Sequence, residues 1–100
     1  MARRILITIP RAQREIATAR ALWREHREKA PLAFDSDLDD AFTLILQHAN
    51  AGIPVRNTNS GRTRRLYIER ISYYLYYEVS DSSIIVVKFR HSARWPPPRL

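Results

Sequence analysis

Residues 62–94 read RTRRLYIERISYYLYYEVSDSSIIVVKFRHSAR, and the alternation inside that stretch decides the fold. Three runs rich in β-branched and aromatic residues, near 63–70, 72–79 and 84–91, are separated by short breaks at about 70–72 and at Ser80-Asp81-Ser82-Ser83. Runs of this kind with turn formers between them predict three sequential strands. Successive side chains of a strand point to opposite sides of a sheet, so each run sorts into two faces. Leu66 and Ile68 fall on one face with Ile71, Tyr73, Leu75, Tyr77 and Val79, and with Ile85, Val87 and Phe89. Burying such side chains contributes roughly 1.5–3 kcal/mol each, so this face should meet a helical layer. The opposite face collects Arg65, Tyr67, Tyr74, Tyr76, Lys88 and Arg90, with Glu69 at the end of the first run.

Upstream, RILITI at residues 4–9 alternates Ile5, Ile7 and Ile9 against Leu6 and Thr8, a short strand ended by Pro10. From Arg11 to about Lys29, Ala12, Ile16, Ala19 and Trp23 recur at helical spacing, with Arg14, Glu15, Arg24, Glu25 and Glu28 on the other side. Pro31 suits the first turn of a second helix, whose stripe is Leu38, Phe42, Ile45 and Ala49. Asp35, Asp37, Asp39 and Asp40 crowd its early part, where they read as a solvated face favoured by the helix dipole. Asn50-Ala51-Gly52 supplies a helix stop, and residues 53–61, with Pro54, Asn57, Asn59, Ser60 and Gly61, read as a loop. The order strand, helix, helix, strand, strand, strand predicts an α+β domain. Two N-terminal helices pack on one face of a largely antiparallel four-stranded sheet, and the other face stays open. One domain should span 1–95, followed by a proline-rich tail at 96–100 that cannot be helix or central strand.

Composition limits the function. The 100-residue chain is 45% hydrophobic and 27% charged, within the globular range, and has no cysteine. Thiol catalysis and thiolate zinc sites are therefore excluded, and a reducing cytoplasm is the expected location. No apolar run is long enough for a membrane span. The net charge of +7 is uneven: residues 1–50 carry +1 and residues 51–100 carry +6. A basic half-domain attracts polyanions by counterion release, so nucleic acid or an acidic protein segment leads the partner classes, although an arginine-rich solvated surface would give the same charge.

The open face is chemically suited to single-stranded nucleic acid, because guanidinium groups clamp phosphates and tyrosine rings stack on unpaired bases. His91 and Arg94 close the last run, where a histidine can move a proton near neutral pH and arginines can stabilise charge on a phosphate. His26 and His48 have no ligand-type spacing to each other or to His91, so no metal or other cofactor is expected.

Ile5 and the two helical stripes, Gly52-Ile53-Pro54-Val55, Arg64-Arg65-Leu66, Tyr74-Leu75-Tyr76-Tyr77-Glu78-Val79 and His91-Ser92-Ala93-Arg94 stand in an order and spacing that resembles the RelE/ParE superfamily of bacterial type II toxin–antitoxin toxins. The resemblance implies a growth-inhibiting toxin held inactive by a cognate antitoxin. It leaves two mechanisms. RelE-like members enter the ribosome and cut mRNA; ParE-like members bind DNA gyrase without cutting RNA. Arg65 and Arg94 match basic positions of the RelE-like site. Tyr67 and Tyr74 stand where those nucleases carry a lysine and an arginine, and the tail lacks their C-terminal tyrosine. RNA cleavage is the leading expectation, with His91 or Glu69 as base, Tyr67 or Tyr74 as acid or stacking platform, and Arg65, Arg90 and Arg94 as the cationic clamp. Gyrase inhibition and a small RNA-binding domain are the alternatives.

Overall fold

The computed structural model describes residues 4–26, 32–56 and 61–93. Expectations for Glu28, Lys29, Pro31, Asn57, Asn59, Ser60, Arg94 and the tail from Trp95 onward lie outside the described residues. The elements run β1 (Ile5–Thr8), α1 (Pro10–His26), α2 (Ala33–Gln47), β2 (Ile53–Pro54), β3 (Thr63–Ile68), β4 (Tyr73–Val79) and β5 (Ser83–His91).

The sheet has five strands in the order β1-β5-β4-β3-β2 and is mixed, which corrects the expected four-stranded arrangement. β5–β4, β4–β3 and β3–β2 pair antiparallel, whereas β1 runs parallel to β5, with Ile5 across from Ser83 and Thr8 across from Val86. Parallel partners need a long crossover, and here nearly the whole chain supplies it. The extra strand, β2, lies inside the stretch read as a loop: Ile53 pairs with Arg65 and Pro54 with Arg64. Proline is tolerated there because β2 is an edge strand.

Pro10 opens α1 instead of merely ending the strand, its absent N–H being one that a first helical residue does not need. Ala12, Ile16 and Ala19 are the buried stripe of α1; Ala33, Phe34, Leu38, Ala41 and Ile45 are that of α2. Both stripes pack on one face of the sheet, against Ile68, Leu75, Tyr77, Ile84, Val86 and Phe89, and Ile71 plugs the same core from the β3–β4 turn. Phe34 is the hub of this layer, edge-on to Tyr73 at 6.1 Å and to Phe89 at 5.8 Å, with those two rings stacked on each other at 4.6 Å.

One expected face is wrong in part. Ile84 and Val86 are fully buried, and Ile85 and Val87 are not the core residues of their strand. The register shifts between Tyr76 and Tyr77, so that Tyr77 pairs with Val86 and Tyr76 with Lys88, leaving Val87 as an extra residue. A bulge inverts the parity of the strand on one side of it. Phe89, beyond the bulge, is therefore in the core as expected, while the pair before it is exchanged.

The helix stop also works differently. α2 ends at Gln47, with His48 N–H donating to the Leu44 carbonyl at 2.7 Å. Gly52 is not a left-handed cap; among the described residues the positive φ values belong to Gly61 (67°) and Ser72 (62°), which shape the turns before β3 and β4.

Two members of the aspartate cluster are ion-paired instead of solvated. Arg70 in the β3–β4 turn grips Asp37, its Nε at 2.8 Å. Asp35 accepts from Arg20 at 2.6 Å and from Arg24 at 3.2 Å, joining the two helices. The Arg20 hydrogen bond, outweighing partial burial, holds the Asp35 carboxyl below its ordinary value, with Arg24 adding to the effect. A carboxyl depressed in the folded state adds stability that is complete above the unfolded value of about 3.8 and is lost as pH falls through the lower folded value. Asp35→Asn should therefore cost up to about 1 kcal/mol at neutral pH, the pair being partly solvent-screened. Melting curves of the two proteins should converge in acid below the carboxylate range; a gap that persists there would mean that the ion pair is not its cause.

Candidate functional site

On the face away from the helices, β3 and β4 set Arg65 across from Tyr76 and Tyr67 across from Tyr74, and β5 adds Arg90 across from Tyr74. The Arg65 guanidinium lies over the Tyr74 ring, 4.7 Å from its centroid, and Tyr67 meets the same ring at 4.9 Å. Cross-strand pairing explains this: opposite residues on one face of an antiparallel pair bring their Cβ atoms within about 5.5 Å. A cation over a tyrosine face gains on the order of 0.5–1 kcal/mol at such a site, which holds the guanidinium flat and presented.

Two residues expected on this face are not available there. Tyr76 is buried at 4% exposure. Lys88, across from Tyr76 in register, reaches over the edge of β5 to Glu15 of α1 at 2.7 Å. β1 stops at its pairing with Val86, so the rest of β5 has a free edge that α1 approaches, and Glu15 also accepts the Phe89 N–H at 3.1 Å.

Neither base chosen from the sequence joins the Arg65–Tyr74 pair. Glu69 has left the strand for the exposed β3–β4 turn, where its carbonyl accepts from Ser72 N–H. His91 pairs with Tyr73 in register, one residue out of phase with Arg90, and its ring meets Tyr73 edge-on at 5.1 Å. It therefore lies on the helix side of the sheet end. Its Nδ1 accepts the Ala93 N–H at 3.1 Å, which places the proton of the neutral ring on Nε2. Glu78 does share the open face, across from Thr63, but stands four residues from Tyr74 along β4, about 13 Å of strand. Arg94 lies outside the described residues.

What the sequence reading missed is the apolar margin of this face. Ile53 is 55% exposed and pairs with Arg65; Ile5 and Ile7 of β1 are 62% and 42% exposed, and Tyr67 is 45% exposed. The alternation of Ile5 and Ile7 against Leu6 was a signal for the β1 pair, once Leu6 is matched to buried Ile84. Aromatic residues and arginine amid exposed aliphatics are the composition of a protein-binding surface.

Among the described residues no group of His, Asp or Glu side chains is placed to hold a metal ion, and no helix is long and apolar enough to cross a membrane.

This arrangement of two helices on one face of a mixed sheet matches known proteins. The family model of the ParE toxin of the type II toxin–antitoxin system parDE matches residues 6–96. A solved structure described as the chromosomal ParDE toxin–antitoxin system from P. aeruginosa superposes with a TM-score of 0.72 at 21% identity, over 88% of this chain and 95% of that one. The YoeB dimer from Staphylococcus aureus superposes with a TM-score of 0.61 at 15% identity, over 90% of this chain and 98% of that one. No curated protein sequence matches. The chain belongs to the ParE toxin family, within the RelE/ParE superfamily. It is the toxin component of a type II toxin–antitoxin system, and such a component has a cognate antitoxin as partner.

Proposed function

We propose that this toxin arrests growth by binding DNA gyrase, not by cutting RNA. The observation that carries the reading is the composition of the open face: the Arg65–Tyr74–Tyr67 cluster has exposed Ile53 across from Arg65, exposed Ile5 and Ile7 lie on the opposite edge strand, and the two sequence-chosen bases sit elsewhere. RNA cleavage through the 2′-hydroxyl needs a base within hydrogen-bond reach of the reacting groups. A rigid aromatic and arginine surface with apolar margins needs only a complementary protein. The ParE family match supports the same side, and its span over residues 6–96 supports one toxin domain over 1–95.

Purified protein in molar excess should inhibit gyrase supercoiling, and its induction should halt replication while primer extension shows intact mRNA. Supercoiling that continues undiminished would overturn the reading. Arg65→Ala should weaken inhibition about tenfold or more, as expected for an arginine anchor.

The second reading is ribosome-dependent mRNA cleavage, favoured by the guanidinium on Tyr74 with Tyr67 as a stacking surface. There Arg65, Arg90 and Arg94 would clamp the phosphate and Tyr67 or Tyr74 would stack or protonate. His91 would have to act from around the strand end, or Glu69 from the turn. Cut mRNA at discrete codons on induction, lost in His91→Ala, is the result that selects it.

A further inference from the structure

Between α1, along its side from Arg11 to Leu22, and the free end of β5 lies a cleft of about 410 Å³. Arg11, Arg14 and Glu15 line one wall; Lys88, Arg90 and His91 line the other. Among the described residues Glu15 is the one carboxylate lining the cleft, and it is already engaged, by Lys88 at 2.7 Å and by the Phe89 N–H at 3.1 Å. Arg11 reaches across to the Val87 carbonyl at 3.4 Å, at the long end of a hydrogen bond. Among the described residues neither Arg11 nor Arg14 has a carboxylate at ion-pair distance.

A second observation points the same way. The first turn of α1 carries no acidic residue and one arginine, Arg11, with Arg14 opening the second turn, near the positive end of the helix dipole. Cations there oppose the dipole, and the opposition is strongest within the first turn. Natural sequences break such a local rule mainly where a function requires it. An anion in the cleft would relieve the conflict, because both arginines would then face negative charge.

We propose that this cleft is a phosphate-binding site, in which Arg11 and Arg14 from α1 and Arg90 from β5 grip phosphate oxygens while Glu15 keeps Lys88 turned toward the same space. Guanidinium groups suit phosphate because their planar fork donates two parallel hydrogen bonds. The phosphate comes either from a nucleic-acid backbone or from a free nucleotide. The site adjoins the open face, with which it shares Arg90, but its Arg11 and Arg14 wall lies on α1 and does not depend on which process the toxin blocks.

The test uses the full chain, the double variant Arg11→Gln/Arg14→Gln, and two probes: inorganic triphosphate and a fluorescent 12-nucleotide DNA at two salt concentrations. The wild type should bind at least one probe, and the double variant should bind it at least about tenfold more weakly, since each lost charge-assisted bond carries that much. Its thermal stability should hold or rise, because the removed charges oppose the dipole, which separates lost binding from lost folding. A DNA affinity whose salt slope falls by about two in the variant assigns the site to backbone phosphates. Triphosphate binding that depends on the arginines, with DNA binding unchanged, assigns it to free nucleotides. Equal binding of both probes by wild type and variant, or binding of neither by wild type, overturns the proposal.

Discussion

Phe34→Ala should cost about 3–5 kcal/mol, a large share of the stability of a domain this small. Phe34 is fully buried and is the point at which three elements meet: its ring lies 6.4 Å from Trp23 of α1, 6.1 Å from Tyr73 of β4 and 5.8 Å from Phe89 of β5. Arg20 adds a guanidinium 5.8 Å from the same ring before turning to Asp35. Alanine would leave a cavity bounded by rigid aromatic rings, which cannot collapse into it as aliphatic side chains do, so the cost should sit at the upper end of the range. Denaturant titration should show a much lower midpoint with an unchanged slope, and heating should show a melting temperature lower by roughly 15 °C or more. Phe34→Leu, which keeps most of the volume, should cost markedly less. A loss under about 1 kcal/mol for the alanine variant would mean that α2 does not dock on the sheet through this ring. The loosening would spread to the end of the sheet, because Tyr73 carries the edge-on contact with His91.

How much of this was readable in the sequence differs from strand to strand. β3 and β4 were largely legible, because each alternates cleanly: Leu66, Ile68, Leu75 and Tyr77 face the helices and Arg65, Tyr67 and Tyr74 do not, although Tyr76 is buried and Glu69 lies beyond the end of β3. β5 was not. Ile84-Ile85-Val86-Val87 is apolar at four consecutive positions, so its parity cannot be read from alternation, and a bulge then moves one side of the strand by one residue. The run itself was the signal, since four apolar residues in a row fit a strand covered on both sides or one that changes face. The direction of β1 lay beyond local reading too, because pairing with a strand nearly 80 positions away leaves no mark on either segment. β2 escaped because two residues with a proline look like loop. These misses bear directly on the candidate site. The arginine and tyrosine cluster follows the alternation and was found; His91 shares the parity of Phe89, which the alternation already put on the helix side, and its register with Tyr73 separates it from the cluster it had been assigned to.

Gly52→Ala should cost about 2–5 kcal/mol, from overpacking combined with the loss of a buried hydrogen bond. A Cβ at this position would lie 2.6 Å from the Arg65 carbonyl oxygen, 2.9 Å from its carbon and 2.7 Å from the Tyr77 hydroxyl. Two of those atoms are backbone and cannot swing aside. The third is held in place from two sides: the Tyr77 hydroxyl accepts the Gly52 N–H at 2.8 Å and donates to the Ala49 carbonyl at 2.9 Å. Burial pushes the Tyr77 phenol up, so it stays protonated and able to donate across the physiological range. Arg64 closes the arrangement by donating to the Gly52 carbonyl at 2.7 Å. Glycine is required here by contact, since its backbone is not in the left-handed region. Tyr77→Phe isolates the hydroxyl and should cost about 1–3 kcal/mol, because it leaves the Gly52 N–H and the Ala49 carbonyl without that partner. The double variant then decides which contact dominates. If the hydroxyl is the main obstacle, the alanine will cost much less in the phenylalanine background; if the Arg65 carbonyl is, the two losses will nearly add. The second outcome carries the functional consequence, because pushing on that carbonyl moves the peptide from which the Arg65 guanidinium reaches Tyr74. Gly52→Ala should then weaken target inhibition by more than its loss of stability explains, measured at a temperature where both proteins are folded, whereas inhibition that tracks folded fraction alone would confine the role of Gly52 to the packing of β2 on β3.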